Sequence, residues 1–320
     1  MMRFTLFILT TISILGCVNL DGFVHNPVHC STVSEATCEG KSDVWDQVCL
    51  SCEESYNFSD TYEFKDGWYA RDIPDSSVTN HTLKTADDEG EIDLYWINSH
   101  GENSLLAQTT MIYNHGNYAG IEHYMPNVRY FYEAGYNVVV WDYRGYGKSM
   151  PETTANATQW FADTELVYDF VRASAIDKSK IVMLGQSLGA IPASHAVLYQ
   201  KPCALIMETP FTSLGAIGAD NSGLALPDAF LSSGAYNNIE KMKSYDGPLF
   251  VMHGTHDYTI SYDAAVELYN AGAGPKDMWT IVNVGHIISR PNREYAVGTE
   301  RYLGRMQEFL MEYATDCLTQ

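Results

Sequence analysis

Basic residues are scarce in this chain of 320 residues: 19 lysines and arginines stand against 40 aspartates and glutamates, so the formal net charge is −21. Such a surface repels phosphate backbones and anionic headgroups, so no nucleic-acid partner is expected. Beyond the first 16 residues the sequence also lacks long apolar runs, which argues against a membrane-spanning helix there. Internal repeats and low-complexity tracts are missing too. The remaining composition, 46% hydrophobic and 18% charged, is typical of a globular protein with a sizeable core.

The long apolar run, residues 4–16, follows Met-Met-Arg at the start of the chain. It is too short to cross a hydrocarbon core of about 30 Å as a helix, and its positive start and small final residue are typical of a secretory signal. Its last residues and Cys17 read Ile-Leu-Gly-Cys, which resembles a bacterial lipobox. We therefore expect residues 1–16 to be a signal peptide and Cys17 to carry lipid that attaches the exported protein to a membrane surface of the bacterial cell envelope. A plain signal peptide with an incidental cysteine would instead give a secreted protein.

Six more cysteines follow the lipobox, in two groups. The first group crowds one acidic, serine-rich stretch and consists of Cys30, Cys38, Cys49 and Cys52. Four cysteines in an exported segment predict two disulfides, with three possible connectivities. The alternative is a zinc site, because Cys49 and Cys52 have zinc-ligand spacing and His29 is near, but an oxidising compartment favours disulfides and we expect no metal. The second group, Cys203 and Cys317, is either a pair or two small buried hydrophobes.

After a Cys-rich leader or stalk over residues 17–77, the chain alternates between short β-branched runs and longer amphipathic stretches. The runs predict strands at 79–85, 91–98, 108–114, 137–141, 180–185, 203–208, 248–252 and 278–283. The amphipathic stretches predict helices at 119–134, 158–175, 188–200, 262–272 and 293–314. A hairpin signal at 87–90 joins the first two strands, and the later strands are apolar on both faces, as in a parallel sheet covered by helices on each side. We predict an α/β domain over residues 78–320, in which residues 211–247 form a small cap or lid.

A nucleophile motif lies between the fifth predicted strand and the following helix: Gly185-Gln186-Ser187-Leu188-Gly189, or G-x-S-x-G. The two glycines of this nucleophile elbow permit a sharp turn without a Cβ clash. The turn would expose the Ser187 hydroxyl at the carboxyl edge of the sheet and aim the Leu188 N–H at a developing oxyanion. The competing interpretation is a tight turn whose glycines only ease packing, but the apolar strand before the motif and the alanine-rich helix after it favour catalysis.

Four segments together resemble the α/β-hydrolase superfamily, and within it the short-capped, esterase-like serine hydrolases. They are Tyr113–Asn117, Trp141–Ser149, the Ser187 turn and His253–Asp257. The resemblance spans roughly residues 78–314. It implies a mostly parallel eight-stranded sheet with an antiparallel first pair, and the order nucleophile, acid, histidine along the chain. It also implies that the glycine-rich segment 142–147 buttresses the active site, in keeping with the absence of P-loop or G-x-G-x-x-G spacing there.

The expected general base is His286, in the loop after the last strand. Gly285 gives this loop the freedom to bring the imidazole over Ser187, and the position matches the catalytic histidine of the superfamily. Among the ten histidines, His253 and His256 are the remaining candidates.

The expected orienting acid is Asp257, which follows the strand predicted at 248–252 and matches the acid of the superfamily. Active sites of open α/β sheets lie at carboxyl strand ends. The competing carboxylates do not have this placement, because Asp263 opens a helix and Asp277 precedes a strand.

An oxyanion hole needs two N–H donors. Leu188 provides the first by its position directly after the nucleophile. The second is expected from the loop after the third strand, where Asn117 matches the donor of the superfamily, although members differ by one position here. Tyr118, the next residue, is a candidate for lining the acyl pocket.

These residues predict acyl transfer to water without a metal or organic cofactor: His286 takes the proton of Ser187, the serine attacks a carbonyl, and water hydrolyses the acyl-enzyme. The expected substrate is a small-molecule carboxylic ester or thioester, with a short or medium acyl chain because the cap is small. One alternative is a serine peptidase or amidase, since the same triad cuts amides. The other is a surface-attached binding protein with a degenerate hydrolase body.

Overall fold

A computed structural model describes residues 25, 27–32, 73–101, 104–214, 234–286, 288 and 297–318. Several of the features predicted from the sequence lie outside these residues. They are the signal peptide at 1–16, Cys17, Cys38, Cys49, Cys52 and residues 215–233 of the cap.

One sheet of eight strands forms the centre of the described part of the chain. Its strands are β1 Val78–Lys84, β2 Glu91–Ile97, β3 Thr110–Asn114, β4 Asn137–Trp141, β5 Ile181–Gln186, β6 Ala204–Glu208, β7 Leu249–Gly254 and β8 Lys276–Ile281. The order across the sheet is β1-β2-β4-β3-β5-β6-β7-β8. Strand β2 pairs antiparallel with β1 and β4, whereas the other neighbours are parallel. The eight predicted strands and the antiparallel first pair are confirmed, and the carboxyl ends of β3 to β8 meet at one edge.

Six α-helices lie among the described residues. They are α1 Met125–Ala134, α2 Ala157–Ser174, α3 Ala190–Tyr199, α4 Asn238–Met242, α5 Tyr262–Ala271 and α6 Thr299–Tyr313. Two helices begin as tighter 3-10 turns, at Ile121–Tyr124 before α1 and at Ser187–Gly189 before α3, so the predicted starts near 119 and 188 correspond to these turns. Over the described ranges, no helix combines the length and the apolar character needed to cross a membrane.

The core lies on both faces of the sheet, as the two-sided apolar strands predict. In β4, Val138 and Val140 belong to one apolar cluster, whereas Val139 and Trp141 belong to the other. The first cluster packs against α1 and α6, and the second against α2, α3 and α5. Alternate side chains of one strand thus serve two layers, which fixes its register because a shift by one residue would exchange the faces.

Cys203 and Cys317 form a disulfide, with their Cα atoms 5.5 Å apart. The sequence left open whether these two residues pair. The bridge joins the start of β6 to the turn that follows α6, and Thr109 just before β3 donates its hydroxyl to the carbonyl oxygen of Cys317. The disulfide therefore connects the C-terminal part of the chain to the amino edge of the sheet, opposite the carboxyl ends of the parallel strands.

The described part of the leader includes one of its predicted disulfide cysteines. Cys30 is disulfide-bonded. His29, which the zinc alternative would use, accepts a hydrogen bond from the Ser31 N–H at 3.2 Å on Nδ1 and lies 3.1 Å from the Ser149 carbonyl oxygen through Nε2. Both ring nitrogens are engaged with protein groups, which favours the disulfide interpretation over zinc.

Asp277 lies inside β8 and not before it as predicted. Its Oδ2 pairs with Arg305 Nη2 at 2.6 Å. This competing carboxylate is therefore engaged with α6.

Candidate active site

Ser187 lies on a sharp turn where β5 ends and a 3-10 turn leads into α3. Its φ is +51°, a left-handed conformation that is costly for a residue with a side chain and is retained mainly at functional turns. The flanking glycines are sterically required: a Cβ on Gly185 would lie 2.6 Å from the Gly189 carbonyl oxygen, and one on Gly189 would lie 2.0 Å from that of Asn114. The sharp turn predicted from the motif is thus present, and it leaves the serine partly exposed.

Three side chains from distant parts of the chain form one hydrogen-bonded series at the carboxyl edge of the sheet. Ser187 Oγ lies 2.9 Å from His286 Nε2, and His286 Nδ1 lies 2.7 Å from Asp257 Oδ2. With its proton on Nδ1, the imidazole donates to the carboxylate and accepts from the serine hydroxyl, as a general base must. The Asp257 side chain is fully buried and that of His286 is 20% exposed, so solvent reaches the imidazole but not the carboxylate.

The Asp257 carboxylate accepts four hydrogen bonds. Oδ1 accepts from the backbone N–H groups of Thr259 and Ile260 at 2.8 and 2.9 Å, and Oδ2 accepts from His286 at 2.7 Å and from His253 at 3.1 Å. Burial alone would raise the pKa of this carboxyl, but the hydrogen bonds from His253 and His286 outweigh burial and hold the pKa well below its ordinary value. The acid therefore stays ionised, which is the form that stabilises an imidazolium.

His253, a candidate base in the sequence, instead supports the acid. Its ring is fully buried, and the Nε2–H is shared between Asp257 Oδ2 and the Ile260 carbonyl oxygen, each at 3.1 Å. The spacing of four residues at a strand end is a signal that could have placed His253 beside Asp257. The sequence could not indicate that the ring turns inward. His256, the other candidate base, is exposed and lies beside Thr255.

The loops that carry Asp257 and His286 are fastened to each other. The N–H of His256 donates to the carbonyl oxygen of Val284, and the N–H of Thr255 to that of Ile281, both at 2.9 Å. Gly254 permits this approach, because a Cβ there would lie 2.1 Å from the Val284 carbonyl oxygen. These bonds limit how far the acid and the base can separate.

The two expected oxyanion donors lie in loops that contact each other. Leu188 is in the first turn of the 3-10 helix, where N–H groups have no partner inside the helix. A Cβ on Gly116 would lie 3.8 Å from the carbonyl oxygen that precedes the nucleophile, so the Asn117 loop borders the same space. Tyr118 donates its N–H to the Gly116 carbonyl oxygen at 3.1 Å, which favours Asn117 as the second donor. The Tyr118 ring packs edge-on against His123 at 4.8 Å, and its role in an acyl pocket stays a prediction.

A buried polar series that the sequence did not reveal runs beneath the nucleophile. Tyr113 donates its hydroxyl to Gln186 Oε1 at 2.7 Å, and Gln186 Nε2 donates to Glu208 Oε1 at 2.9 Å. Glu208 Oε2 in turn accepts from the Tyr302 hydroxyl at 2.7 Å. The series joins β3, β5, β6 and α6 directly below Ser187, so it fixes the residue before the nucleophile. Gln186 is a variable position of the motif, which is why no role was predicted for it.

The segment 142–147 has the buttressing place that the resemblance implied. Arg144 bonds Asp163 and Asp87 through its guanidinium, with Nε 2.7 Å from Asp163 and Nη1 2.8 Å from Asp87. Tyr143 donates its hydroxyl to the His115 carbonyl oxygen at 2.8 Å. The same ring stacks on the His115 imidazole at 4.4 Å, so the segment supports the loop that leads to Asn117.

Two buried carboxyls, those of Glu122 and Asp93, lie near this segment. Burial and the nearby charge of Asp142 raise the pKa of Glu122 to about 8, and burial raises the pKa of Asp93 to about 6. Lys148 Nζ lies 3.6 Å from Glu122 Oε1.

In the described part of the chain, no group of three or more His, Cys, Asp and Glu side chains is arranged to hold a metal ion.

The sequence matches one protein family and several curated proteins. The family described as Serine aminopeptidase, S33 matches residues 107–226, which include the third strand, the Asn117 loop and the Ser187 turn. Protein YfhR of Salmonella typhi is 29% identical over 197 residues, which are 57% of this chain and 65% of that protein. The chain thus spans somewhat less than two thirds of the length of this relative.

Solved esterases share the fold. The esterase Pf2001 of Pyrococcus furiosus superposes with a TM-score of 0.59 and 23% identity, over 74% of this chain and 91% of that chain. The esterase Est2 of Thermogutta terrifontis, solved with butyrate bound, gives a TM-score of 0.58 and 16% identity, over 78% of this chain and 97% of that chain. These likenesses confirm the fold predicted from the sequence.

Proposed function

We propose that this chain, which has an α/β-hydrolase fold, is a serine hydrolase that cleaves small carboxylic esters or thioesters through an acyl-enzyme on Ser187. The observation that carries the proposal is the series Ser187–His286–Asp257, with hydrogen bonds of 2.9 and 2.7 Å at the carboxyl edge of the sheet. This edge is where open α/β sheets bind their substrates.

In the proposed reaction, His286 Nε2 takes the hydroxyl proton of Ser187 while Oγ forms a bond to the substrate carbonyl carbon. The carbonyl oxygen becomes an oxyanion that accepts hydrogen bonds from the N–H groups of Leu188 and Asn117. The leaving alcohol or thiol takes the proton from His286 as its bond to carbon breaks. A water molecule then adds to the acyl carbon with His286 as base, and Ser187 is released. Asp257, ionised throughout, stabilises the imidazolium.

Two observations favour esters with short acyl chains. Esterases are prominent among the similar solved structures, and one of them, Est2, holds butyrate. Between β6 and β7 the chain has 40 residues, from Thr209 to Pro248, which leaves room for only a small cap over the site. We therefore expect p-nitrophenyl esters of C2 to C6 acids to be cleaved faster than C12 to C16 esters.

The experiment is a p-nitrophenyl ester series from C2 to C16 with wild type, Ser187→Ala, His286→Ala and Asp257→Asn. Each variant should lose roughly 10⁴-fold or more in kcat, because triad losses run to several powers of ten. His100→Ala is the matched control, since His100 follows β2 at the opposite edge of the sheet. Labelling by a fluorophosphonate probe that requires Ser187 separates an enzyme from a degenerate hydrolase body. More than about a tenth of wild-type turnover in Ser187→Ala would reject the assignment.

A serine aminopeptidase is the second candidate, because the matched family has that description. The same acyl-enzyme chemistry cuts amides, so the triad alone does not choose between the bonds. Aminoacyl p-nitroanilides measured beside the esters decide between them. A kcat/KM for the anilides above that for every ester would favour the peptidase.

A further inference from the structure

We propose that the N-terminal segment formed by His25 and residues 27–30 is a positioning part of the active site, which holds the Asn117 loop in place through the contact series His25–Tyr146–Asn117. The inference rests on the proposed function, because it concerns the loop assigned there as an oxyanion donor. The sequence predicted a leader or stalk apart from the hydrolase body. The described residues of the leader instead lie against that body.

The segment is held by backbone pairing to two loops of the body. Gly147 donates its N–H to the Val28 carbonyl oxygen at 3.0 Å, and its own carbonyl oxygen accepts from the Cys30 N–H at 2.8 Å. Pro27 forms a parallel bridge with Ala119, two residues after Asn117. The segment thus touches both the buttressing loop and the oxyanion loop.

The oxyanion loop is strained where the segment meets it. Ala119 has φ +52°, and a side-chain-bearing residue keeps such a conformation only when its surroundings determine it. A Cβ on Gly120 would lie 2.8 Å from the Gly147 Cα, so the two loops touch at the same place. The bridge from Pro27 is one of the contacts that maintain this arrangement.

A side-chain series connects the segment to the donor residue itself. The Tyr146 hydroxyl donates to Asn117 Oδ1 at 2.6 Å, and His25 Nδ1 lies 3.3 Å from the same hydroxyl. Because the single phenol proton is directed at Asn117, the bond from His25 requires Nδ1–H as donor. The His25 ring also packs on Trp160, with centroids 4.7 Å apart, and is 8% exposed. Burial lowers the pKa of His25 to about 4, so the ring is neutral at neutral pH.

This series holds the Asn117 side chain in place. It thereby also holds the backbone N–H of Asn117, which is proposed to bind the oxyanion. A donor that is a few tenths of an ångström out of place costs most in the transition state, where the charge is greatest. Loss of the series should therefore lower kcat and leave KM little changed. A segment that only stabilises the fold would lower the melting temperature and leave kcat alone.

The experiment uses the full chain with His25→Leu, Tyr146→Phe and the double variant, assayed with p-nitrophenyl butyrate. We expect each single variant to lose roughly tenfold in kcat, with a KM within about twofold of wild type. The loss is smaller than the 10²–10³-fold loss in kcat on removal of a donor, because the donor is displaced and not removed. The double variant should lose no more than the larger single loss, because both act through one series. His25→Asn, whose amide nitrogen replaces Nδ1, should restore most of the rate. Tyr136→Phe is the matched control, a buried hydroxyl at the amino edge of β4.

The rate of amide hydrogen exchange in a peptide covering residues 115–120 tests the same contact without any measurement of catalysis. Faster exchange in His25→Leu than in wild type or Tyr136→Phe is the expected result. Unchanged exchange, or unchanged kcat in His25→Leu with a lower melting temperature, overturns the positioning role. Additive losses in the double variant overturn it as well. If wild type cleaves no ester and takes no fluorophosphonate, the proposed function fails, whereas the exchange result still decides whether the segment holds the loop.

Discussion

At the residue scale, the hydrogen bonds to Asp257 predict a pH-dependent contribution to stability. The folded state holds the pKa of this carboxyl below its unfolded value of 3.8, so the contribution is fully present above about pH 4 and is lost as pH falls below it. The difference in free energy of unfolding between wild type and Asp257→Asn should therefore be constant from pH 7 to 5 and shrink towards pH 2. Urea unfolding at several pH values measures it.

Asp263→Asn is the control for this measurement, because it removes an exposed carboxylate from the first turn of α5. The difference in free energy of unfolding between Asp263→Asn and wild type should be small at every pH. A difference for Asp257→Asn that stays constant down to pH 2 would mean that the bonds from His253 and His286 do not stabilise the ionised form.

Single residues also mark the limit of what the sequence predicts. Ser187, Asp257 and His286 were predicted because a motif, a strand end and a loop glycine each carry a local signal. Glu208 carries no such signal, and the spacing of His253 from Asp257 does not reveal which way its ring points once the strands are adjacent. The sharp turn at Ser187 was predictable as well, because Gly185 and Gly189 permit the close backbone approaches that it needs.

At the element scale, the strands were predictable because their β-branched runs are apolar on both faces. The starts of the helices were less predictable, because the first turns at 121–124 and 187–189 are 3-10 turns and carry no α-helical periodicity. His25 and residues 27–30 were not recognised as part of the body. A few residues that pair through isolated bridges leave no periodic pattern to detect.

The short turn before α1 yields a second pH prediction, through Glu122. Its folded pKa of about 8 lies above the model-compound value of 4.5, so its stabilising contribution is full below about pH 4.5 and is lost as pH rises towards 8. Glu122→Gln keeps the shape and cannot ionise. The variant should therefore gain stability relative to wild type as pH rises from 5 to 9, measured by urea unfolding. For Glu152→Gln, at an exposed position, the difference in free energy of unfolding from wild type should not change with pH. A difference for Glu122→Gln that does not change with pH would contradict burial of the neutral form of Glu122.

At the scale of the whole molecule, the Cys203–Cys317 disulfide closes a loop with a sequence separation of 114 residues. A bridge of this span stabilises by roughly 3–5 kcal/mol, mainly by restricting the unfolded chain. The double change Cys203→Ser and Cys317→Ser should lower the melting temperature while kcat at 25 °C stays the same, because the bridge lies at the edge opposite Ser187. A loss of kcat at full folding would mean that the bridge also shapes the site.

Export and lipidation stay proposals, since residues 1–24 lie outside the described part. If Cys17 carries lipid, the protein partitions into the detergent phase of a Triton X-114 separation, and Cys17→Ser moves it to the aqueous phase. Several acyl chains make the partition nearly complete, because each buried CH₂ contributes about 0.8 kcal/mol. Aqueous wild-type protein, or no difference between the two forms, would leave a plain secreted hydrolase.

The docking of His25 and residues 27–30 beside the Asn117 loop also sets a tether length. Eight residue steps separate Cys17 from His25, and a fully extended chain spans at most about 3.6 Å per residue, or roughly 29 Å in all. A lipid on Cys17 would then keep the oxyanion loop within about one bilayer thickness of the membrane surface. Under the proposed function, the reach of the site would be decided by these eight residues and not by the longer leader that follows, and the nearest substrates would be esters at that surface.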